Sequence, residues 1–234
     1  MSNTAASTRE SNTKNNSARE AILARVRESI ANNRTIPDCQ VRFEPALALT
    51  QESLLQEFIT NHTNNKSIVM ETQNLQQTLQ EILQENLTES GDNRVLYNPD
   101  ISADVNMLQG ITPIPYTQSI DEIRKELFSI STSIVQARCG VADLGILGLS
   151  SNENAPRLSS LITNTCIYLL PKSSIVQSIF AGIEFIKAFE RERTGTEILP
   201  SNMIFVAGPS RTADIELQTV FGVHGPRKTY TLLY

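Results

Sequence analysis

The chain has 234 residues, 40% of them hydrophobic and 19% charged, which fits one large domain better than two and an ordinary soluble balance. Its net charge of −5 leaves no overall basic footprint, so nucleic acid is not an expected partner, although net charge says nothing of local patches. Apolar runs such as Cys166–Pro171 are far too short to span a membrane, and the start MSNTAASTRESNTKNN lacks the apolar core of a secretory signal, so the expected location is the cytoplasm.

Residues 1–17 are rich in Ser, Asn and Thr and cannot offset the entropy of ordering, which predicts a disordered tail. Ala18, Ile22, Val26 and Ile30 recur every four residues and predict an amphipathic helix to about Asn33, followed by a linker to residue 45. An α/β domain is expected over 46–234. It begins with a helix over 51–61 that carries Leu54, Leu55, Phe58 and Ile59 on one side, and a short buried strand over 67–70 (SIVM). Thr72 is placed to cap a helix burying Leu75, Leu79, Ile82 and Leu83. Gly91-Asp92 reads as a turn and Arg94–Tyr97 as a strand, while the prolines of ITPIPY (111–116) keep it extended. Ser119 and Glu122 form a capping box for a helix that turns Ile120, Ile123 and Leu127 inward.

Further strands are predicted at 133–135, 146–149, 166–170, 203–207 and 229–233. The last alternates polar and apolar residues and reads as half-exposed, near a sheet edge. Ser173 or Ser174 is expected to start the longest helix, with Ile175, Ile179, Ile183 and Ile186 in its stripe and Gly195 beyond its charged end. Strands separated by helices predict an α/β fold, a mostly parallel sheet between helical layers.

The three cysteines, Cys39, Cys139 and Cys166, form no C-x-x-C pair. They are expected to be reduced, buried thiols, and no metal site is expected from them or from the two separated histidines, His62 and His224.

Two glycine-bearing regions are candidate sites. MIFVA (203–207) runs into Gly208-Pro209-Ser210, where a helix is expected to begin at Ser210 or Thr212, at the carboxyl edge of the sheet. Such a helix start, helped by Arg211, can hold a phosphate or carboxylate. Asp214 and Glu216, in its first turns, satisfy the same dipole and repel an anion; they could instead bind a hydroxyl, an amide or a partner's cation. His224, between Gly222 and Gly225, is either an acid/base near neutral pH or a hydrogen-bonded structural residue. The turn Gly140–Gly145 either presents Asp143 to a ligand or is plain and solvated. The polar loop 151–160 delivers Arg157, as a two-bond clamp on an anion or as a solvated helix start. The chain has no G-x-S-x-G, P-loop or G-x-G-x-x-G. The residues alone therefore give a crevice near 140–157 and 208–227 without a reaction.

Gly208, Pro209, Ser210, Thr212, Asp214, Ile215 and Glu216, followed by Gly222, Val223, His224, Gly225 and Pro226, resemble the G-P-S-x-T-x-D-I-E and G-V-H-G-P signature of the LUD-domain family. Upstream, VADLGILGLSS, PRLSSLI and CIYLLPKSSIV resemble the family's next elements, so the likeness covers about 130–234. Where the family usually has Glu-Thr-Gly-Thr, this chain has Asp143-Leu144-Gly145-Ile146: the acid is shortened and both hydroxyls are replaced by aliphatic groups. The resemblance implies a fold like the NagB/RpiA/CoA-transferase group. It also implies a part in oxidising L-lactate to pyruvate beside iron–sulfur partner proteins, with no cofactor in this chain and the iron–sulfur clusters in the partners. Gly208, Ser210, Arg211, Thr212, Asp143, Gly145, Arg157 and Gly225 are the ligand-binding candidates, for a small carboxylate or phosphate, and His224, Glu216 and Asp214 are the acid/base candidates should the chain be a catalyst in its own right. The alternative is a stand-alone enzyme or binding protein of the same fold, acting on a sugar phosphate, a coenzyme A ester or a folate.

Overall fold

The computed structural model describes residues 19–29, 31, 49–117, 120–213 and 219–234. The chain divides into two units, Met1–Glu44 and Pro45–Tyr234. In the first, residues 19–29 form helix α1, where the four-residue apolar recurrence predicts one. The expected tail over 1–17, the linker, Ser119, Asp214 and Glu216 lie outside the described residues.

The second unit opens with α2 (Gln51–Asn64), whose cap Thr50 accepts a hydrogen bond from Ser53 N. Then follow β1 (Ile68–Glu71), α3 (Leu75–Ser90), β2 (Arg94–Tyr97), β3 (Thr112–Pro115), α4 (Ile120–Leu127) and β4 (Thr132–Gln136). The cap of α3 is Asn74, which accepts from Gln77 N. Thr72, the expected cap, instead accepts from Asn74 N at 2.9 Å and tightens the turn before the helix. Gly91 closes α3 at φ 70°, the left-handed ending glycine favours. The chain continues through β5 (Cys139–Val141), β6 (Ile146–Ser151), β7 (Thr165–Leu170), β8 (Ile175–Val176), α5 (Ile179–Thr194), β9 (Asn202–Val206), β10 (Arg211–Ala213), β11 (Thr219–Phe221) and β12 (Lys228–Leu233).

Six strands make the central sheet, in the order β1-β12-β7-β4-β2-β3, and every neighbouring pair is parallel. Such a sheet must be covered on both faces. On one face Ile134, Ile167, Leu169, Tyr230 and Leu232 cluster with Leu79, Ile82 and Leu83 of α3. On the other, Val135, Cys166, Tyr168, Leu170 and Leu233 cluster with Leu55 and Phe58 of α2 and with Leu147 and Leu149 of β6. The expected parallel α/β fold is therefore present. The second face carries an addition the sequence does not separate, a four-stranded sheet in the order β8-β5-β6-β9. Among the described residues no helix is long and apolar enough to cross a membrane.

Three expectations are corrected. β12 is interior, between β1 and β7, and Thr229 and Thr231 are buried. Their polarity is absorbed inside the protein: Thr229 Oγ1 lies 2.8 Å from Ser67 Oγ, and Thr231 bonds His62. The helix expected from Ser173 or Ser174, α5, is capped by Ser178, whose side chain accepts from Ala181 N, and at 16 residues it equals α3 in length. Lys172–Ser174 is a 3-10 turn, and Ile175 belongs to β8, which pairs with β5. Finally, no helix begins at Ser210 or Thr212. Arg211–Ala213 is a strand paired antiparallel with Thr219–Phe221, so the helix dipole invoked there for an anion does not exist.

Candidate functional site

Gly208, just beyond β9, has φ 71°. A Cβ there would overlap Asn65 O at the end of α2, so only glycine lets the chain turn this closely past the helix. Ser210 then ties the two signature turns together. Its N–H donates to Pro226 O at 2.8 Å, and its carbonyl accepts from Gly222 N at 3.0 Å. Its hydroxyl accepts from His224 N at 3.3 Å. Arg211 Nη2 donates to Ala207 O at 3.1 Å, which braces the turn from outside.

These turns and β9 enclose a cleft of about 380 Å³, lined by Ser160, Leu161, Tyr168, Phe205, Gly208, Ser210, Arg211, His224, Gly225 and Pro226 among others. Ser160, Leu161 and Pro226 all precede β7 or β12. The cleft thus lies toward the amino-terminal side of those two strands and at the carboxyl end of β9, the strand end from which the Gly208 turn leaves. His224 is exposed. Tyr168 is 0% exposed, and its hydroxyl has no hydrogen-bond partner. Burial pushes its pKa well above the usual phenol value, reinforced by the charge and weak hydrogen bonding of the neighbouring Cys166 thiol, which lies outside ordinary hydrogen-bond geometry. It is therefore a neutral phenol that can give or take one hydrogen bond.

The other glycine turn is built differently. Gly145 sits at φ 59°, and a Cβ would overlap the backbone of Asn61 and His62. Asn61 Nδ2 donates to Ala142 O at 2.9 Å, and Asn65 Nδ2 donates to Leu144 O at 2.8 Å. His62 Nδ1 lies 2.7 Å from Gly145 O, and Nε2 lies 2.8 Å from Thr231 Oγ1. A carbonyl only accepts, so Nδ1 carries the proton and Nε2 accepts from the threonine. The ring stacks on Phe58 with centroids 5.0 Å apart. Burial drives its pKa down to about 4, so His62 is neutral at pH 7.

The LUD domain family model matches residues 55–234. This chain belongs to the LUD-domain family. It is 36% identical over 118 residues to NMB1437 of Neisseria meningitidis, covering 50% of this chain and 48% of that protein. It is 38% identical over 93 residues to a Lactate utilization protein C of Bacillus velezensis, covering 40% and 37%. Against YkgG of Escherichia coli it is 36% identical over 100 residues, covering 43% and 42%. The chain thus spans less than half the length of these curated relatives. A DUF162 family protein from Deinococcus radiodurans superposes with a TM-score of 0.53 at 18% identity, covering 80% of this chain and 99% of that one, a likeness of fold.

The candidate residues do not converge on one point. Gly208, Pro209, Ser210, His224, Gly225 and Pro226 of the LUD signature share the cleft with Arg211. Thr212 pairs with Val220 in the hairpin beside it. Asp143 and Gly145 do not line the cleft. Asp143 is exposed, and partial burial raises its carboxyl above the ordinary value. Arg157 Nη1 is 3.5 Å from Asn202 Oδ1. It borders a separate void of about 10 Å³ with Asn98, Gln136 and Ser150, a space for about one water. What links the LUD turns is α2: the Gly145 turn and the Gly208 turn both press on Asn61–Asn65.

Two features of this LUD chain escape sequence reasoning. Tyr168 is one, because nothing in CIYLL sets its hydroxyl apart. The other is a buried ionic network. Arg138 pairs with Asp100, lies 4.7 Å over the Phe189 ring and donates to Ser150 Oγ at 2.9 Å. Ser150 in turn donates to Glu190, which Arg193 grips at 2.8 Å. Among the described residues no group of three or more His, Cys, Asp or Glu could hold a metal ion. Burial drives the Cys139 thiol up to about 12 and the Cys166 thiol up to about 11.

Proposed function

We propose that this chain is a non-redox accessory subunit of an iron–sulfur-dependent system that oxidises L-lactate to pyruvate in the cytoplasm. The observation that carries this reading is the family match over residues 55–234 together with relatives named Lactate utilization protein C. The oxidation removes two electrons and two protons from lactate. On this reading the electrons pass to clusters held by partner proteins, and the present chain supplies a ligand pocket or docking edge around Ser210 and His224.

The test is affinity capture of the tagged chain from its native host, with visible absorption and iron content read on the eluate, and lactate-dependent dye reduction by the chain alone. Iron–sulfur proteins are expected to co-purify, and the isolated chain is expected to be inactive. Dye reduction by the isolated chain would sink the proposal.

A second reading is favoured by one observation, the unpartnered Tyr168 hydroxyl in the cleft wall. On this reading the cleft binds a sugar phosphate, a coenzyme A ester or a folate, and the chain acts alone. Thermal denaturation with each class checks it, since a ligand that binds only the native state raises apparent stability. Absence of a shift with all three discards it.

A further inference from the structure

The turn that presents His224 to one cleft presents Arg227 to another. Gly222 sits at φ 82°, and a Cβ there would overlap Arg227 Cγ. The glycine therefore leaves room for the arginine stem to fold back across the turn. Arg227 N donates to Asn164 O at 2.8 Å, which fixes the backbone, while the guanidinium makes no hydrogen bond or ion pair with any described residue.

Arg227 lines a cavity of about 370 Å³ together with Asn86, Ser131, Asn164 and Thr165. The cavity lies by the amino-terminal ends of β4 and β7. Asn86, on α3, is 4% exposed, and its Nδ2 has no hydrogen-bond partner. Turning the amide by half a revolution exchanges its two ends without changing its shape, so this side chain can offer the cavity a donor. A native fold seldom leaves a buried amide unpaired, because such a group forfeits its hydration. The acid in the lining, Glu89, is paired with Lys228, whose Nζ lies 3.3 Å from its carboxylate and 3.6 Å from that of Glu85. The cavity thus combines a planar cation and a buried amide, neither with a side-chain partner among the described residues, and flanking hydroxyls.

We propose that this cavity binds a small oxyanion, the carboxylate or phosphate group of a metabolite, with Arg227 and Asn86 as its principal donors. A guanidinium meets either group through two parallel hydrogen bonds. The site is distinct from the His224 cleft, which Arg227 does not line, and it stands whether or not the chain serves lactate oxidation.

The test uses the full chain in thermal denaturation and calorimetric titration with sodium phosphate, sodium acetate and sodium L-lactate, each against sodium chloride of equal ionic strength. A saturable rise in Tm is expected with at least one of the three. A response to phosphate alone assigns a phosphate group, and a response to acetate or lactate assigns a carboxylate; both support the site. Arg227→Gln is expected to weaken the apparent Kd about tenfold or more, as is Asn86→Asp, which adds a like charge. His224→Ala is expected to keep the wild-type Kd. Arg227 is exposed, so its variant folds even if Asn86→Asp does not, and circular dichroism verifies it. No saturable shift with any of the three anions, or an unchanged Kd in Arg227→Gln, overturns the proposal. Loss of the shift in His224→Ala alone overturns it too, by moving the anion to the other cleft.

Discussion

The turns at Gly145 and at Gly208–Gly225 are alike in sequence and opposite in use. Each needs a backbone that only glycine tolerates, and both the Gly145 and Gly208 turns dock on the end of α2. The Gly145 turn is closed. Its carbonyls are taken by Asn61, Asn65 and His62, and the far side of the His62 ring is taken by Thr231. The turns around Ser210 are open. They hold one another through backbone bonds, yet next to them lie an exposed His224 and, without hydrogen-bond partners of ordinary geometry among the described residues, the Tyr168 hydroxyl and the Arg227 guanidinium. Glycine in a signature therefore marks close approach of backbone. Chemistry is to be sought where polar groups are left over after that approach has been made.

Alanine at the two kinds of turn breaks the comparison most sharply. Gly145→Ala sets a Cβ against the backbone of α2 at positive φ. Neither side can give way, and a loss of about 3 kcal/mol is expected in urea denaturation. Gly222→Ala meets only the flexible Arg227 side chain. A loss of about 1–2 kcal/mol is expected, mostly from the backbone angle, together with weaker oxyanion binding because Arg227 is displaced. Equal losses at the two positions would show that the open turn is as rigidly packed as the closed one.

The closed turn also predicts a pH dependence. The native pKa of His62 is lowered to about 4 from 6.5, so between these values the unfolded chain binds the proton that the native state refuses. Stability from this group is full above pH 6.5 and falls as pH drops toward 4, by up to about 1.4 kcal/mol per pH unit. Denaturation midpoints at pH 7, 6 and 5 are expected to show this slope in the wild type and not in His62→Gln. A wild type as flat as the variant would mean that the ring is charged in the fold.

How much of this was legible depends on how local the cause is. β2 was readable to the residue because Arg94–Tyr97 is set off by Gly91-Asp92. β12 was misjudged because the groups that satisfy Thr229 and Thr231 are Ser67 and His62, more than 160 residues away in sequence. Gly208-Pro209-Ser210 looked like a helix start because proline and serine commonly stand there. Its true partner, Thr219–Phe221, lies beyond an intervening acidic segment. The family signature located the open turns, and their cleft includes six of its named residues, Gly208, Pro209, Ser210, His224, Gly225 and Pro226. It pointed equally at Asp143 and Arg157, which fall elsewhere. Tyr168 and Asn86 carried no mark at all, since an unpaired atom is a property of surroundings and not of a residue type.

The smallest expected effect is the most direct probe of the open region. Tyr168→Phe removes a buried hydroxyl that has no hydrogen-bond partner of ordinary geometry among the described residues and lies beside only a weakly bonding thiol, that of Cys166, so little of the usual cost of losing a hydrogen bond applies. The variant is expected to match the wild type or to gain up to about 1 kcal/mol, because it no longer desolvates an unpaired polar atom. The same change in a fully satisfied interior, such as Thr231→Val, leaves His62 Nε2 without its donor and is expected to lose about 1–3 kcal/mol. Function would then separate from stability. If the hydroxyl is kept for a ligand, Tyr168→Phe loses the ligand-induced rise in Tm while its own Tm holds or climbs. A destabilised Tyr168→Phe would instead show that the hydroxyl is already bonded within the folded chain, and the open cleft would lose its strongest claim to be a site.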